Sequence, residues 1–321
     1  MSTLPIKLIK WRIKGLTEYL KFHFGVFHTA TTTLIPQKKQ NLPLCFVAGC
    51  GRSGTTMLGR LLSLHPSVSY LNEPREFWAT VSATTDIWGY TNIGTSPKSL
   101  LITSHKKKEH IRLFRLLSYH FDPGRHRVLV EKSPENVFRL QWLHAIAPQA
   151  KLIHIVRNGA DVARSIMVEA DLDIPYGLQD MNNWYGTHNK KRHLLQESAK
   201  LLGIPSSAVA ACATRDDWAA LEWICSLTAY RLSHHLFLDN GCYQLRYEDL
   251  LANPWDVFTE LINFLGMPAA PHLKETILGY VYRRSKQKVD LVLAPDIKSL
   301  MAIEMTNFGY DDALSTTTPP V

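Results

Sequence analysis

The 321-residue sequence has no run approaching the roughly 18 uninterrupted apolar residues that a membrane-spanning helix needs. A signal-peptide pattern is missing as well, because Lys7, Lys10, Arg12, Lys14 and Lys21 are spread through the N-terminus, and a Golgi-type anchor is not expected. The five cysteines, Cys45, Cys50, Cys212, Cys225 and Cys242, are odd in number and form no C-x-x-C pair. They are expected to be buried thiols in a reducing, cytoplasmic compartment. No His/Cys/Asp group has metal-ligand spacing, so no metal is expected. Neither a recognition-helix nor an aromatic-strand pattern for nucleic acid is present.

What is present is a globular composition, 45% hydrophobic and 20% charged, long enough for one large α/β domain with a substantial core. Lys and Arg outnumber Asp and Glu by 36 to 28, a net charge of +8. That balance suits an anionic nucleotide, a sulfated or acidic acceptor, a membrane surface or nucleic acid, and does not separate them.

The stretch from Leu44 to Leu58 reads as a short buried strand, a glycine-rich turn and the start of a helix. Gly49, Gly51 and Gly54 let successive backbone N–H groups and a helix N-terminus face one anion, and Arg52 adds a full charge. Gly49 and Gly54 have the spacing of an NTP-binding loop, but Thr55 stands where its lysine belongs, which disfavours a nucleotide or sugar kinase. Met57, Leu58, Leu61, Leu62 and Leu64 then form a helical stripe ending at His65-Pro66. A strand from Val68 stops at Glu73, a carboxylate at a strand end that can serve as a general base, with Glu76 as the alternative across Pro74.

Three further strands carry polar groups at their ends. Val128 to Val130 leads into Glu131-Lys132-Ser133-Pro134, followed by a helix from Val137 to Ile146. Lys151 to Val156 runs into Arg157, eight positions before Ser165 on a helix starting near Gly159, so that both can converge on one phosphate. His154 reads as a strand residue rather than a catalyst. Cys242 to Tyr247 precedes Glu248-Asp249-Leu250 and an amphipathic helix after Asn253-Pro254.

Taken in order, Gly-Arg-Ser-Gly-Thr-Thr, the strand-end Glu, Glu-Lys-Ser-Pro, Arg-x7-Ser and Arg-Tyr-Glu-Asp-Leu resemble sulfotransferases that use 3′-phosphoadenosine 5′-phosphosulfate (PAPS), over about Leu44 to Gly309. The likeness is to the branch with the tyrosylprotein, heparan sulfate and bacterial enzymes. It implies a P-loop-containing three-layer α/β fold with a central, mostly parallel sheet flanked by helices. It also implies sulfuryl transfer from PAPS to an acceptor hydroxyl or amine, most readily on a carbohydrate or glycolipid, with a phenol, small alcohol or peptide tyrosine as alternatives. Glu73 becomes the base, and Lys132 and Arg52 stabilise charge, with Glu131 placed to orient Lys132. Gly51, Arg52, Ser53, Gly54, Thr55 and Thr56 take the 5′ side of the nucleotide, Arg157 and Ser165 the 3′-phosphate, and Tyr247 the neighbourhood of the adenine. Ser285 and Lys286 lie in a basic loop that closes over it. Tyrosylprotein enzymes carry a further Arg after that Ser, where this chain has Glu169, so Arg164 is a candidate to assist.

The remainder is less specific. Residues Ile6 to Phe27 allow a basic amphipathic helix, available to an inner membrane surface or to packing on the domain, and Thr29 to Asn41 reads as a linker. The expected organisation is therefore an N-terminal segment and linker over 1–43, the sulfotransferase domain over 44–313 and a disordered tail over 314–321. Lys106-Lys107-Lys108 reads as a solvated helix face in an otherwise unpatterned Asp86 to Arg125. The aromatic and basic residues between Asp171 and Arg215, including Trp184, Tyr185 and Lys191, suit an acceptor platform or a helical insertion. Apolar spacing from Asp216 predicts a core helix to Asn240. Besides the kinase, a non-catalytic anion-binding protein is the rival reading; it explains the charge but not a carboxylate and a lysine in register with the loop.

Overall fold

The apolar runs become five strands: β1 (Leu44–Ala48), β2 (Val68–Asn72), β3 (Val128–Lys132), β4 (Lys151–Val156) and β5 (Cys242–Arg246). In this computed structural model, residues 17, 20–33, 42–87, 97–171, 184–185, 189–281 and 290–310 are described. Every strand pairing is parallel, in the order β2-β3-β1-β4-β5. The expected mostly parallel sheet is thus entirely parallel among the described residues. All five residues of β1 are buried, which is why it reads as a continuous apolar run rather than an alternating one.

The helices are α1 (20–32), α2 (Thr55–Ser63), α3 (Arg75–Val81), α4 (Lys107–His120), α5 (Leu140–Ile146), α6 (Gly159–Asp171) and α7 (Lys190–Leu201). They continue as α8 (Ser206–Ala210), α9 (Arg215–Ser233), α10 (Tyr247–Ala252), α11 (Pro254–Phe264), α12 (Lys274–Tyr280) and α13 (Pro295–Asn307). Two clusters of buried side chains fill the two faces of the sheet. One joins Phe46 and Leu129 to α3, α4, α5, α6 and α9, and the other joins Val47 and Val130 to α2 and α11. The chain leaves β1 toward β2 on one side and β4 toward β5 on the other. The tips of β1 and β4 therefore border the crevice in which open parallel sheets place ligands.

Several elements differ from the sequence expectation. Thr29 to Thr32, expected as linker, are helical in α1. Thr29 Oγ1 donates to Gly25 O (2.6 Å) and Thr32 Oγ1 to Thr29 O (2.7 Å), which satisfies hydroxyls that otherwise compete with helix formation. Phe22 of α1 packs into the core, whereas Leu20, Phe24 and Phe27 stay exposed. Of the helix expected over Val137 to Ile146, only Leu140–Ile146 is α-helical, because Val137 to Arg139 belong to a 3₁₀ turn over Pro134–Arg139. Helix α9 starts at a capping box, with Thr214 Oγ1 accepting from Asp217 N (3.1 Å) and Asp217 Oδ2 from Thr214 N (2.9 Å). It ends at Ser233 rather than near Asn240, and a 3₁₀ turn over His234–Phe237 follows. The lysine run expected as a solvated helix face does open a helix, α4, with Lys106 to Lys108 exposed at its start; the extent of α4 was not expected, although Leu113, Leu116 and Leu117 have its spacing.

Strand β3 splits two neighbours to opposite faces, and this corrects the expectation that Glu131 orients Lys132. Glu131 is buried on the α3 side, where Oε1 accepts from Trp78 Nε1 (2.8 Å) and Ser133 Oγ (2.6 Å) and Oε2 from Asn136 Nδ2 (2.6 Å). Asn136 Oδ1 in turn accepts from Arg139 Nε (3.1 Å). Burial raises the Glu131 carboxyl above its ordinary value, offset in part by Arg139 and these donors. Trp78→Phe removes one donor from this buried carboxyl, and we expect it to cost about 1–3 kcal/mol in urea unfolding while leaving nucleotide affinity unchanged. A loss of affinity as large as the loss of stability would show that the two faces are not independent.

Candidate active site

Beyond Ala48 the backbone folds into a tight loop, with Ser53 N donating to Cys50 O (3.1 Å) and Leu58 N to Gly54 O (3.0 Å) as α2 begins. Left-handed backbone falls at Arg52 (φ 71°) and Gly54 (φ 97°), so an arginine shares the turning role expected of the glycines. Gly54 has a second requirement: a Cβ there would run into the Tyr247 ring. Gly51 likewise leaves room for the benzo edge of Trp184, which stands 2.7 Å from where a Cβ would be. Gly54 is the N-cap of α2, no side chain caps that end, and its first turn holds no acid. The first N–H groups of the helix therefore lack intrahelical acceptors and face the loop as an anion site. Thr55 opens α2 and is buried.

Lys132, at the tip of β3, has a wholly buried side chain. Its Nζ donates to Glu73 Oε1 (2.5 Å) and to Thr56 Oγ1 (3.0 Å), tying the ends of β2 and β3 to the first turn of α2. Glu73 extends the ladder past β2, its N–H donating to Lys132 O (2.7 Å), and it too is left-handed (φ 47°). Such strain in a residue with a side chain is held by its surroundings and concentrates at functional sites. Glu76, the alternative carboxylate, lies on α3 against Gly25 of α1, in a groove lined also by Phe24, Leu71 and Tyr119. The geometry brings Glu73, not Glu76, to Lys132.

At the tip of β4, the Trp223 Nε1 bond to Arg157 O (3.1 Å) fixes the backbone. The Arg157 guanidinium lies 4.6 Å from the Tyr247 ring centroid, and NH1 donates to Arg52 O (3.1 Å). NH2 stands 3.6 Å from Asp161. Arg157 and Ser165 meet through Arg52 rather than each other, because Arg52 Nε donates to Ser165 Oγ (3.1 Å). Arg52 NH1 also pairs with Glu169 at 3.3 Å, and Arg164 NH1 pairs with Asp161 at 3.3 Å. Two buried polar atoms facing this region, Ser53 Oγ and Arg157 Nε, have no hydrogen-bond partner. A hydroxyl and a guanidinium edge left open beside an uncapped helix fit the phosphates of an anionic nucleotide.

One part of the site was not foreseen from the sequence. Glu222, buried in the middle of α9, accepts from Trp184 Nε1 (2.8 Å) and from the buried Lys191 Nζ (2.7 Å), and so holds Trp184 over Gly51. An acid between Leu221 and Trp223, in the middle of a core stripe, was the available signal. His154 keeps to the sheet, stacked on Tyr230 at 3.6 Å, and burial pushes its pKa down to about 3. All five cysteines are free thiols, and burial raises Cys50 at the loop well above its ordinary value. Ser285 and Lys286 lie outside the described residues, as do 1–16 and the tail. Among the described residues, no group of three or more His, Cys, Asp and Glu could hold a metal ion, and no helix is long and apolar enough to cross a membrane.

Gly54→Ala places a Cβ at φ 97° against Tyr247. We expect a loss of about 1–3 kcal/mol in thermal unfolding. An unchanged melting temperature would mean that the loop relaxes freely.

The profile of the sulfotransferase family matches residues 43–205, just over half of the chain. The nodulation protein NoeE of Sinorhizobium fredii (strain NBRC 101917 / NGR234) is 29% identical over 136 residues, covering 39% of this chain and 31% of that protein. Protein-tyrosine sulfotransferase 1 of Danio rerio is 23% identical over 266 residues, 80% of this chain and 64% of that protein. The matched segments thus span less than two thirds of either relative. A solved sulfotransferase from Alicyclobacillus acidocaldarius aligns with 87% of this chain and 98% of its own at 17% identity, with a TM-score of 0.47.

Proposed function

Since the chain belongs to the sulfotransferase family, we propose that it transfers the sulfuryl group of PAPS to an acceptor hydroxyl or amine. The observation that carries this reading is the meeting of Glu73, Lys132 and Thr56 beside an uncapped, glycine-rich helix start. PAPS supplies an activated sulfuryl group. Gly51, Ser53, Gly54, Thr55 and the α2 N–H groups bind its 5′ end, Arg157 and Ser165 bind its 3′-phosphate, and Tyr247 flanks the base. Glu73 takes the acceptor proton as the acceptor oxygen or nitrogen bonds to sulfur and the bond from sulfur to the phosphate oxygen breaks. Lys132 and Arg52 stabilise charge on that leaving oxygen, a contribution that commonly exceeds general-base catalysis. None of these roles requires a metal.

The acceptor we favour is a carbohydrate or glycolipid hydroxyl, which Trp184 and its neighbouring donors suit. A phenol, small alcohol or peptide tyrosine is the alternative, the last being the substrate class in the name of the Danio rerio relative. Calorimetric titration with 3′-phosphoadenosine 5′-phosphate, run beside ADP and ATP, is expected to give tight binding of the bisphosphate alone, weakened at least about tenfold in Arg157→Ala. Equal or tighter binding of ATP would move the kinase reading to first place. Glu73→Gln should keep that binding while bisphosphate release from PAPS, measured over a panel of sugar, phenol and tyrosine-peptide acceptors, falls about 10²- to 10⁴-fold. A variant retaining most of its activity would remove Glu73 from the role of base.

The exposed Leu20, Phe24 and Phe27 lie at helical spacing on α1 and follow the basic N-terminal sequence, which supports a peripheral contact with an anionic lipid surface at the cytoplasmic face. Co-sedimentation with phosphatidylglycerol vesicles should be lost in Phe24→Ser/Phe27→Ser. Equal pelleting with neutral phosphatidylcholine vesicles would count against it.

A further inference from the structure

Gly25 lets α1 approach α3, since a Cβ there would stand 2.9 Å from Glu76 Cγ. Phe22, buried in the core, and the bond from Arg115 NH1 to Thr33 O (2.9 Å) fix α1 on the domain, ahead of the residues 43–205 that match the family. Between α1, the end of β2, α3 and the end of α4 lies a groove of about 450 Å³, within the roughly 300–1,000 Å³ of small-molecule sites. Asn72 and Pro74, on either side of Glu73, both line it, so the groove begins beside the proposed base. In the strand order β2-β3-β1, Glu73 and Lys132 lie between this groove and the loop under Trp184.

We propose that this groove is an acceptor subsite for a neutral sugar unit, held away from the hydroxyl that reacts. The inference rests on the PAPS reading above and narrows its acceptor to an uncharged saccharide of at least two units. In a chain of net charge +8, no Lys or Arg lines the groove among the described residues, so an anionic acceptor would meet Glu76 with no cation to balance it. The Glu76 carboxylate enters no hydrogen bond or ion pair among the described residues, and is open to accept from sugar hydroxyls. The Thr29 and Thr32 hydroxyls already donate within α1 and present only acceptor lone pairs. Burial, and then the neighbouring His28, lower the His120 pKa, so that imidazole is neutral near pH 7. Phe24 and Tyr119 add exposed rings, against which the C–H face of a sugar can lie while its hydroxyls take the polar groups.

The test measures initial rates of bisphosphate release from PAPS by the full chain, Glu76→Gln and His28→Trp. The acceptors are lactose, cellobiose and maltotriose, beside cellobiuronic acid as an anionic counterpart, 2-naphthol and a tyrosine peptide. Glutamine keeps the shape of residue 76 and removes its charge, and tryptophan at the exposed position 28 fills the groove without entering the core. The expected result is turnover of at least one neutral saccharide, with its KM about five- to tenfold higher in Glu76→Gln and higher still in His28→Trp. The kcat should stay within about twofold, and calorimetric affinity for 3′-phosphoadenosine 5′-phosphate should not change. An unchanged KM in Glu76→Gln or in a folded His28→Trp, a loss confined to kcat, equal use of cellobiuronic acid and cellobiose, or no turnover of any saccharide overturns the proposal and leaves the PAPS reading standing. A parent chain that binds the bisphosphate no better than ADP overturns the PAPS reading, and this proposal with it.

Discussion

A wholly buried ammonium cannot be left without partners, and the site is assembled around that requirement at Lys132. Its hydrogen-bond partners, Glu73 and Thr56, come from the end of β2 and the first turn of α2. Satisfying one charge thus draws together three segments that are far apart in sequence. Glu73 reaches its place by leaving the extended region (φ 47°), a strain that the bond from its N–H to Lys132 O helps to hold.

The same strand separates chemistry from scaffolding. Because side chains alternate along β3, Lys132 looks toward the loop after β1 while Glu131 sits among Trp78, Ser133 and Asn136. Glu131 is acidic and next to a site residue, yet its work is to satisfy polar groups in the core beneath the strand tips. Asn136 Nδ2 also donates to Val47 O at 3.3 Å, which joins this network to the strand that carries the glycine-rich loop. A comparable device operates on the other side of the loop, where Glu222 and Lys191 form a buried pair that positions Trp184.

The binding half of the site rests on unsatisfied groups rather than on preformed contacts. The start of α2 has no side-chain cap, and Ser53 Oγ and Arg157 Nε are buried without partners. The arginines, by contrast, are already engaged by Asp161, Ser165 and Glu169 on α6.

The amino-acid sequence determined the strands, the glycine-rich turn, the strand-end residues and their order, and with them the family. These depend on local rules: apolar runs for buried strands, glycine where backbone must turn or approach closely, and polar residues where strands stop. Tertiary structure decided which charges meet. That Arg52 joins Ser165, more than a hundred residues away, and pairs with Glu169, that Glu131 turns from Lys132, that Glu73 rather than Glu76 receives the ammonium, and that Glu222 reaches Trp184 all follow from strand order and from the face each residue occupies. Neither is encoded in local spacing. The ends of α1 and α9 were missed for a related reason, since threonine hydroxyls bonded back to carbonyls and a 3₁₀ turn at His234–Phe237 shift a boundary without changing the apolar pattern.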